Sequence, residues 1–317
     1  MLFFHQDKLL DQLGDQILAT TWAKFPGLAQ NQIALTWIVY DEPVPVNTGG
    51  ALTPAEFWRY DLRGYACRGG EPIYPASVVK LFYLVAIHEW LDKGMIAHSA
   101  EVERAIRDMI IDSSNDATSL VVDLLSGTTS GPDLASEPFK TWQYQRNIVN
   151  RYFQELNWLE LESINVNQKT WCDGAYGRER ASVGDQRQHH NRLTTNATAR
   201  LLHSIVGGVA VSAGRSQTMM TLIQRSLDPA VWQSDEQSEP ENNQITGFLG
   251  AGLPPTASLW SKAGWMSQVR HDAAYIEIPG LRPYLLVVFS EGKAQSQNEE
   301  LLPFISQQVV AAMQSLE

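Results

Sequence analysis

Apolar residues at Leu9, Leu10, Leu13, Ile17 and Leu18 fall at helical spacing and predict an amphipathic helix over about 6–24. The run from Ile33 to Tyr40 predicts a strand at about 32–40, and a second strand at about 57–68 follows a Gly-Gly turn. Pro72 and Pro75 end the extended chain, after which Leu81, Leu84, Val85, Ile87 and Leu91 mark a helix from about Ala76 to Lys93. Two more helices are expected at about 101–111 and 116–125, separated by the polar run Asp112 to Asp116. The stretch 126–195 is the least regular, with one helix near 143–157 and a tract rich in Gly, Arg and Asn. Helices return at about 196–206 and 215–227.

Beyond an acidic loop at about 234–244 come three strands, about 257–263, 269–278 and 283–290, and then an amphipathic helix at about 296–316. The connections between these strands are too short for parallel crossovers, so they pair antiparallel. The expected architecture is α+β in three layers, α-β-α. A five-stranded antiparallel sheet flanked by helices is built from 1–75 and 215–317, an all-helical lobe over 76–214 is inserted, and a cleft lies between them.

Composition narrows the possible partners. Of 317 residues 44% are hydrophobic and 19% charged, enough apolar surface to exclude a disordered chain. A net charge of −11 argues against nucleic acid or an anionic membrane as the main partner. Two cysteines, Cys67 and Cys172, can build neither a disulfide framework nor an all-cysteine zinc site, and they leave the compartment open. The first residues, MLFFHQDKLLDQLGDQI, lack a basic segment followed by an apolar core, so they read as a helix rather than a signal peptide. No uncharged apolar run approaches the roughly 18 residues of a membrane span.

Phosphate-binding and dinucleotide-binding glycine motifs are absent, as are paired Cys-x-x-Cys motifs. His88-Glu89 is followed by Asp92 where a zinc motif needs His, and the adjacent His189 and His190 read as a solvated loop. The informative feature is Ser77-Val78-Val79-Lys80 at a helix start. Residues three apart share a helix face, so the Lys80 amine can reach the Ser77 hydroxyl and take its proton during attack. The same spacing at Ser290-Glu291-Gly292-Lys293 falls in a turn and reads as solvated. Ser113-Ser114-Asn115 lies in the polar break between two helices, where a hydroxyl and an amide can face a cleft. Lys262-Ala263-Gly264 lies on a strand, and its glycine lets a ligand approach the backbone closely.

In that order and placement, these three motifs resemble the active-site motifs of the class A β-lactamase and penicillin-binding serine hydrolase superfamily. The element order is similar from about residue 6 onward, and the run Arg107 to Leu120 resembles the family's helix-loop-helix around its second motif. The resemblance implies Ser77 as the acylated nucleophile, Lys80 as its base, Ser113 as the proton relay to the leaving group and Asn115 as a holder of the substrate amide. It implies Lys262 as a source of positive potential, and an oxyanion hole from the backbone N–H groups of Ser77 and Trp265. Arg270, on the next strand, either binds a substrate carboxylate or makes a surface salt bridge. No metal or organic cofactor is implied.

Departures from the family pattern are also legible. Ser77 and Ser113 stand closer in the chain than in typical class A enzymes, so one wall of the pocket is reduced. Ala263 replaces a Thr or Ser that would bind a substrate carboxylate, and Trp265 is bulkier than the small residue usual there. The Glu-x-x-Leu-Asn loop that positions the deacylating water has no clear copy. Glu179 lies at a similar distance before Thr194-Thr195, but Val183 stands where its Asn partner would be. Glu179 is thus either the deacylating carboxylate or part of a loop salt bridge. The resulting expectation is a serine hydrolase that forms an acyl-enzyme at Ser77 with a β-lactam or a D-alanyl-peptide-like amide or ester. A catalytically weak ligand-binding protein of the same fold and a serine-lysine esterase or amidase are the alternatives.

Overall fold

The computed structural model describes residues 2–41, 46, 48–50, 52–232 and 243–316. Seven strands form one sheet among them: β1 (Phe4–Gln6), β2 (Ile33–Val39), β3 (Leu62–Cys67), β4 (Gln224–Arg225), β5 (Ser258–Met266), β6 (Val269–Glu277) and β7 (Tyr284–Glu291), in the order β1-β3-β2-β7-β6-β5-β4. The five long strands pair antiparallel as expected. Two short edge strands complete the sheet: β1, which runs parallel to β3, and β4, which covers only the start of β5. Pairing of β2 with β7 over Ile33↔Ser290 to Val39↔Tyr284 closes the sheet from distant parts of the sequence.

The helices are α1 (Lys8–Lys24), α2 (Pro54–Phe57), α3 (Lys80–Asp92), α4 (Ala100–Ile110), α5 (Asn115–Ser126), α6 (Ser136–Arg146), α7 (Ile148–Glu155), α8 (Gly177–Val183), α9 (Thr195–Val206), α10 (Ala213–Ile223), α11 (Pro229–Trp232), α12 (Lys293–Ser296) and α13 (Leu301–Ser315). Two single expected helices are divided. The one near 143–157 becomes α6 and α7, which meet at Asn147, where the amide oxygen accepts from Asn150 and Asn167. The last becomes α12 and α13, separated where Asn298 Oδ1 captures the Glu300 N–H. At Asn298 a side-chain amide that bonds nearby backbone competes with helix continuation. Most of the acidic loop expected at 234–244 lies outside the described residues.

Every residue of β2, and all but the last of β7, is buried, because both faces of the sheet are covered. On one face, Leu35, Trp37, Leu286 and Val288 pack with Leu10 and Leu18 of α1 and Leu302, Ile305 and Val309 of α13. On the other, Ala34, Ile38, Leu285 and Val287 share a core with α3, α4, α5, α7, α9 and α10. Within that core α3 is apolar almost all round and buried from Lys80 to His88. A helix packed on all sides is a rigid mount for whatever it carries at its N-terminus. Among the described residues, no helix is long and apolar enough to cross a membrane.

Candidate active site

Ser77 lies in a 3-10 turn, Ala76–Val79, that leads directly into α3. Pro75 caps the turn, and Ala76 takes a left-handed φ of 45° immediately before the serine. An alanine held there stores strain of about 1–2 kcal/mol, which the surrounding contacts must offset. One such contact is His271 of β6. Its Nε2–H donates to Tyr74 O at 2.8 Å, while its Nδ1 accepts from Ser290 N at 3.1 Å. The two bonds fix the neutral tautomer, and burial holds the imidazole down at about 4.

Gly264 shows why a residue without a side chain stands on β5. A Cβ there would come within 2.8 Å of Pro75 O and 3.0 Å of the Ser77 and Val78 nitrogens. The strand therefore lies directly against the serine's turn, and it is this backbone, where the sequence suggested a ligand, that comes close to the glycine.

Lys80 is the first residue of α3 and fully buried. Its Nζ donates to Ser113 O at 2.5 Å, Ser113 Oγ at 3.2 Å and Asn115 Oδ1 at 2.9 Å. Lys262, equally buried on β5, donates to Ser113 Oγ at 3.1 Å, Gln244 Oε1 at 2.6 Å and Ala263 O at 2.9 Å. Ser113 reaches this position through a left-handed φ of 55°, between α4 and the Ser114 side chain that caps α5. Its hydroxyl oxygen receives a hydrogen bond from each amine. With both lone pairs occupied, its own proton points away from the two lysines and is free for a third group.

Burial dominates the electrostatics. Desolvation brings Lys80 down to about 7, so near neutral pH its free amine is well populated. Lys262 is held well below its usual range by burial first, then by the charges of Lys80 and Arg225. Behind the strand, burial raises Asp272 to about 7; one of its oxygens accepts from Leu249 N at 3.1 Å.

Three residues of this assembly carry no sequence signature. Gln244 links the β5 edge to the end of α4: its oxygen accepts from Lys262, and its amide donates to Ile110 O and Ile111 O. Arg225 of β4 donates to Ser261 O and Ile110 O. Cys172 accepts from Asn115 Nδ2 at 3.2 Å. Each belongs to an irregular or two-residue element, where no periodicity marks an inward-facing side chain.

Other expected residues are placed elsewhere. Strand alternation puts Ala263, Trp265 and Arg270 on the sheet face opposite Lys262. Ala263 joins the core under α13. The Trp265 indole and Arg270 Nε both donate to Ser296 O, at 2.8 and 2.9 Å. Trp265 therefore does not narrow the cleft with its indole, and Arg270 faces away from Ser77, beside Phe248 and Glu299.

Glu179 is fully buried on α8, where it pairs with Arg146 and accepts from Ser130 Oγ at 2.9 Å. Arg146 also bonds Asp123 at 3.0 Å, and Lys169 joins Asp123 to Ser130. This carboxylate belongs to a buried ionic network, and the loop salt bridge expected as its alternative role is internal rather than exposed. The second Ser-x-x-Lys copy is not a solvated turn either: Ser290 is buried in β7 and donates to Arg270 O. Likewise His190 stacks on Tyr74, with centroids 4.3 Å apart, and is not freely solvated. A cleft of about 1100 Å³ opens beside the cluster, with Tyr74, Trp171, Cys172, Arg180 and His190 on its walls.

Residues 97–313 match the model of the beta-lactamase enzyme family. No curated protein matches the sequence. Among solved structures, the chain is similar to PBP-A, with 17% identity, a TM-score of 0.63 and 98% of each chain covered. It is also similar to a β-lactamase from Sphaerobacter thermophilus, with 16% identity, a TM-score of 0.62, and coverage of 95% of this chain and 98% of that one. A variant of the class A β-lactamase of the last common ancestor of Gram-negative bacteria has 17% identity and a TM-score of 0.59 over 96% of this chain and all of its own. The structural likenesses show the fold and extend it over the Ser77 and Lys80 region that the family match leaves out. With that match covering about two thirds of the sequence, the chain belongs to the beta-lactamase enzyme family and is a hydrolase of the β-lactamase type.

Proposed function

We propose that the protein acylates Ser77 with a β-lactam or a D-alanyl-peptide-like amide or ester, in the cleft between the sheet-bearing part (1–75 and 215–317) and the helical part (76–214). The observation that carries this reading is the Ser113 hydroxyl held between Lys80 and Lys262, at 3.2 and 3.1 Å. Lys80, once neutral, accepts the Ser77 proton as the hydroxyl oxygen attacks the carbonyl carbon. Ser113 passes its outward proton to the leaving nitrogen and is resupplied from the lysines. The Ser77 and Trp265 N–H groups receive the developing oxyanion.

Deacylation needs a water held and deprotonated by a correctly placed base. Freeing Glu179 for that role would break its buried pair with Arg146, at a cost of about 3–5 kcal/mol. The acyl-enzyme is therefore long-lived, and the protein behaves more as a penicillin-binding protein than as a fast β-lactamase. Incubation with a fluorescent penicillin, followed by intact mass and peptide mapping, should place a persistent adduct on Ser77. An adduct elsewhere, or none with any serine-directed acylating reagent, overturns the reading. Sustained nitrocefin turnover faster than about one per second without accumulated adduct overturns the slow deacylation step.

A further inference from the structure

Gly264 and His271 stand directly opposite each other in the β5–β6 pair, on the sheet face that carries Lys262. The segment that holds Ser77 lies over this pair. Where Gly264 leaves room, the backbone from Pro75 to Val78 settles on β5. One strand further, the His271 ring is fully buried, its centroid 4.4 Å from that of Phe289, and reaches Tyr74 O.

On either side of the segment the chain is fixed: two backbone bonds of 2.8 Å tie Ile73 to Leu193, and Lys80 begins the buried α3. Between them, among the described residues, no strand pairs with residues 74–79. The Val78 N–H closes on Pro75 O at 3.1 Å, which shapes the turn but does not attach it to the sheet. The Tyr74 carbonyl does attach it: His271 Nε2–H fastens it to β6, and His271 Nδ1 continues the link to Ser290 N of β7. Only Pro75 and Ala76 separate this anchor from the serine. Proline has a fixed φ and Ala76 is already left-handed, so neither can absorb a shift of Tyr74 before it reaches Ser77.

We infer that His271 is a positioning residue for the oxyanion hole: by holding Tyr74 O, it sets the separation between the Ser77 N–H on the turn and the Trp265 N–H on β5. The oxyanion role rests on the acyl-enzyme reading above, whereas the docking of the turn by His271 does not. The two donors belong to different elements, so their separation follows from how the turn sits on the sheet. Such donors act over a narrow range of distance, and a displacement of about 1 Å can cost about a hundredfold in rate.

Three replacements separate the two bonds of the ring. Glutamine places an amide N–H where Nε2 stands and keeps the bond to Tyr74 O; asparagine reaches only the Nδ1 position and keeps the bond from Ser290 N; leucine keeps neither. Acylation of Ser77 by benzylpenicillin, followed by intact mass at several concentrations, gives a limiting rate and a half-saturating concentration. His271→Gln should acylate within about threefold of the parent. His271→Asn and His271→Leu should lose about tenfold or more in limiting rate with the half-saturating concentration little changed, because the hole is used chiefly in the transition state. Misfolded molecules lower the amount of adduct and not its rate constant. If the ring served only to satisfy the Ser290 N–H, asparagine would be the better replacement. That order, or a parental rate in His271→Asn, overturns the proposal, and the comparison of Gln with Asn decides even if the leucine variant does not fold.

A second measurement needs no acyl-enzyme. Amide hydrogen exchange, read by mass on peptides covering 73–79 and 81–92, should be at least about tenfold faster over the turn in His271→Asn, unchanged over α3, and near parental throughout in His271→Gln. Equal exchange over the turn in all three proteins overturns the docking. This exchange pattern in a protein that penicillin never labels supports the docking and overturns the proposed acylation, and the oxyanion role with it.

Discussion

Ser113 has one oxygen and three hydrogen-bonding directions, and two of them are taken by lysines. Ser113→Ala should abolish the route by which a proton reaches the leaving group while leaving Ser77 in place. Acylation by penicillin, read from adduct mass against time, should slow by at least about a hundredfold. Lys80→Ala and Lys262→Ala should each slow it by more than about tenfold, and a normal rate in either variant removes that lysine from the mechanism. These side chains were legible in the sequence because each belongs to a short motif at a recognisable element boundary. Cys172, Gln244 and His271 were not, because their roles come from distant pairings: Cys172 with Asn115, Gln244 with Lys262 and His271 with Tyr74. Arg270 misled for a simpler reason: its strand was identified, but not the face on which alternation would place it.

At the scale of elements, the site depends on β5 lying against the 3-10 turn of Ser77. Gly264→Ala should force these two backbones apart, since its Cβ would lie 2.8 Å from Pro75 O. We expect a loss of about 1–3 kcal/mol in urea unfolding, of the size that overpacking costs, together with slower acylation of the folded fraction. Wild-type stability and rate in this variant would mean that the turn is free to shift. The long strands and most helices were legible because hydrophobic period and length agree over whole elements. The break at Asn298 escaped because a single amide decides it within an otherwise helical pattern, and the one at Asn147 coincides with side-chain bonds from Asn150 and from Asn167, the latter distant in sequence. Short β1 and β4 escaped because three and two residues carry no period.

For the whole molecule, the buried titratable groups set a pH dependence with a definite sign. His88, His190, His203 and His271 are all held at about 3–4, below the usual 6.5, mainly by burial. The unfolded chain binds more protons than the folded one in that interval, so their contribution is complete above about 6.5 and is lost as pH falls toward 4. Asp272, raised to about 7, and Glu291, also raised by burial, act in the opposite direction but are two groups against four. Lys80 and Lys262, both lowered, make the folded state gain stability as pH rises from about 7 toward 10.5. Buried tyrosines such as Tyr40 and Tyr83, raised above 10, reverse the trend beyond that. Thermal unfolding should therefore give a maximum Tm near pH 10, and a Tm at pH 5 at least about 5 °C below that at pH 7. A Tm unchanged from pH 5 to 9 would mean that these groups titrate as they do in the unfolded chain.

The pairing of β2 with β7 bears on how the molecule comes into being. Residues 33–39 must wait for residues 284–290, so the centre of the sheet is closed by a loop of about 250 residues, and folding is governed by non-local contacts. During synthesis α3 and its neighbours emerge early, but the lysine of β5 arrives late and β7 later still. A ribosome-bound chain therefore carries Ser77 and Lys80 long before Lys262 joins them. The nucleophile stays without its full surroundings until almost the entire polypeptide has been made.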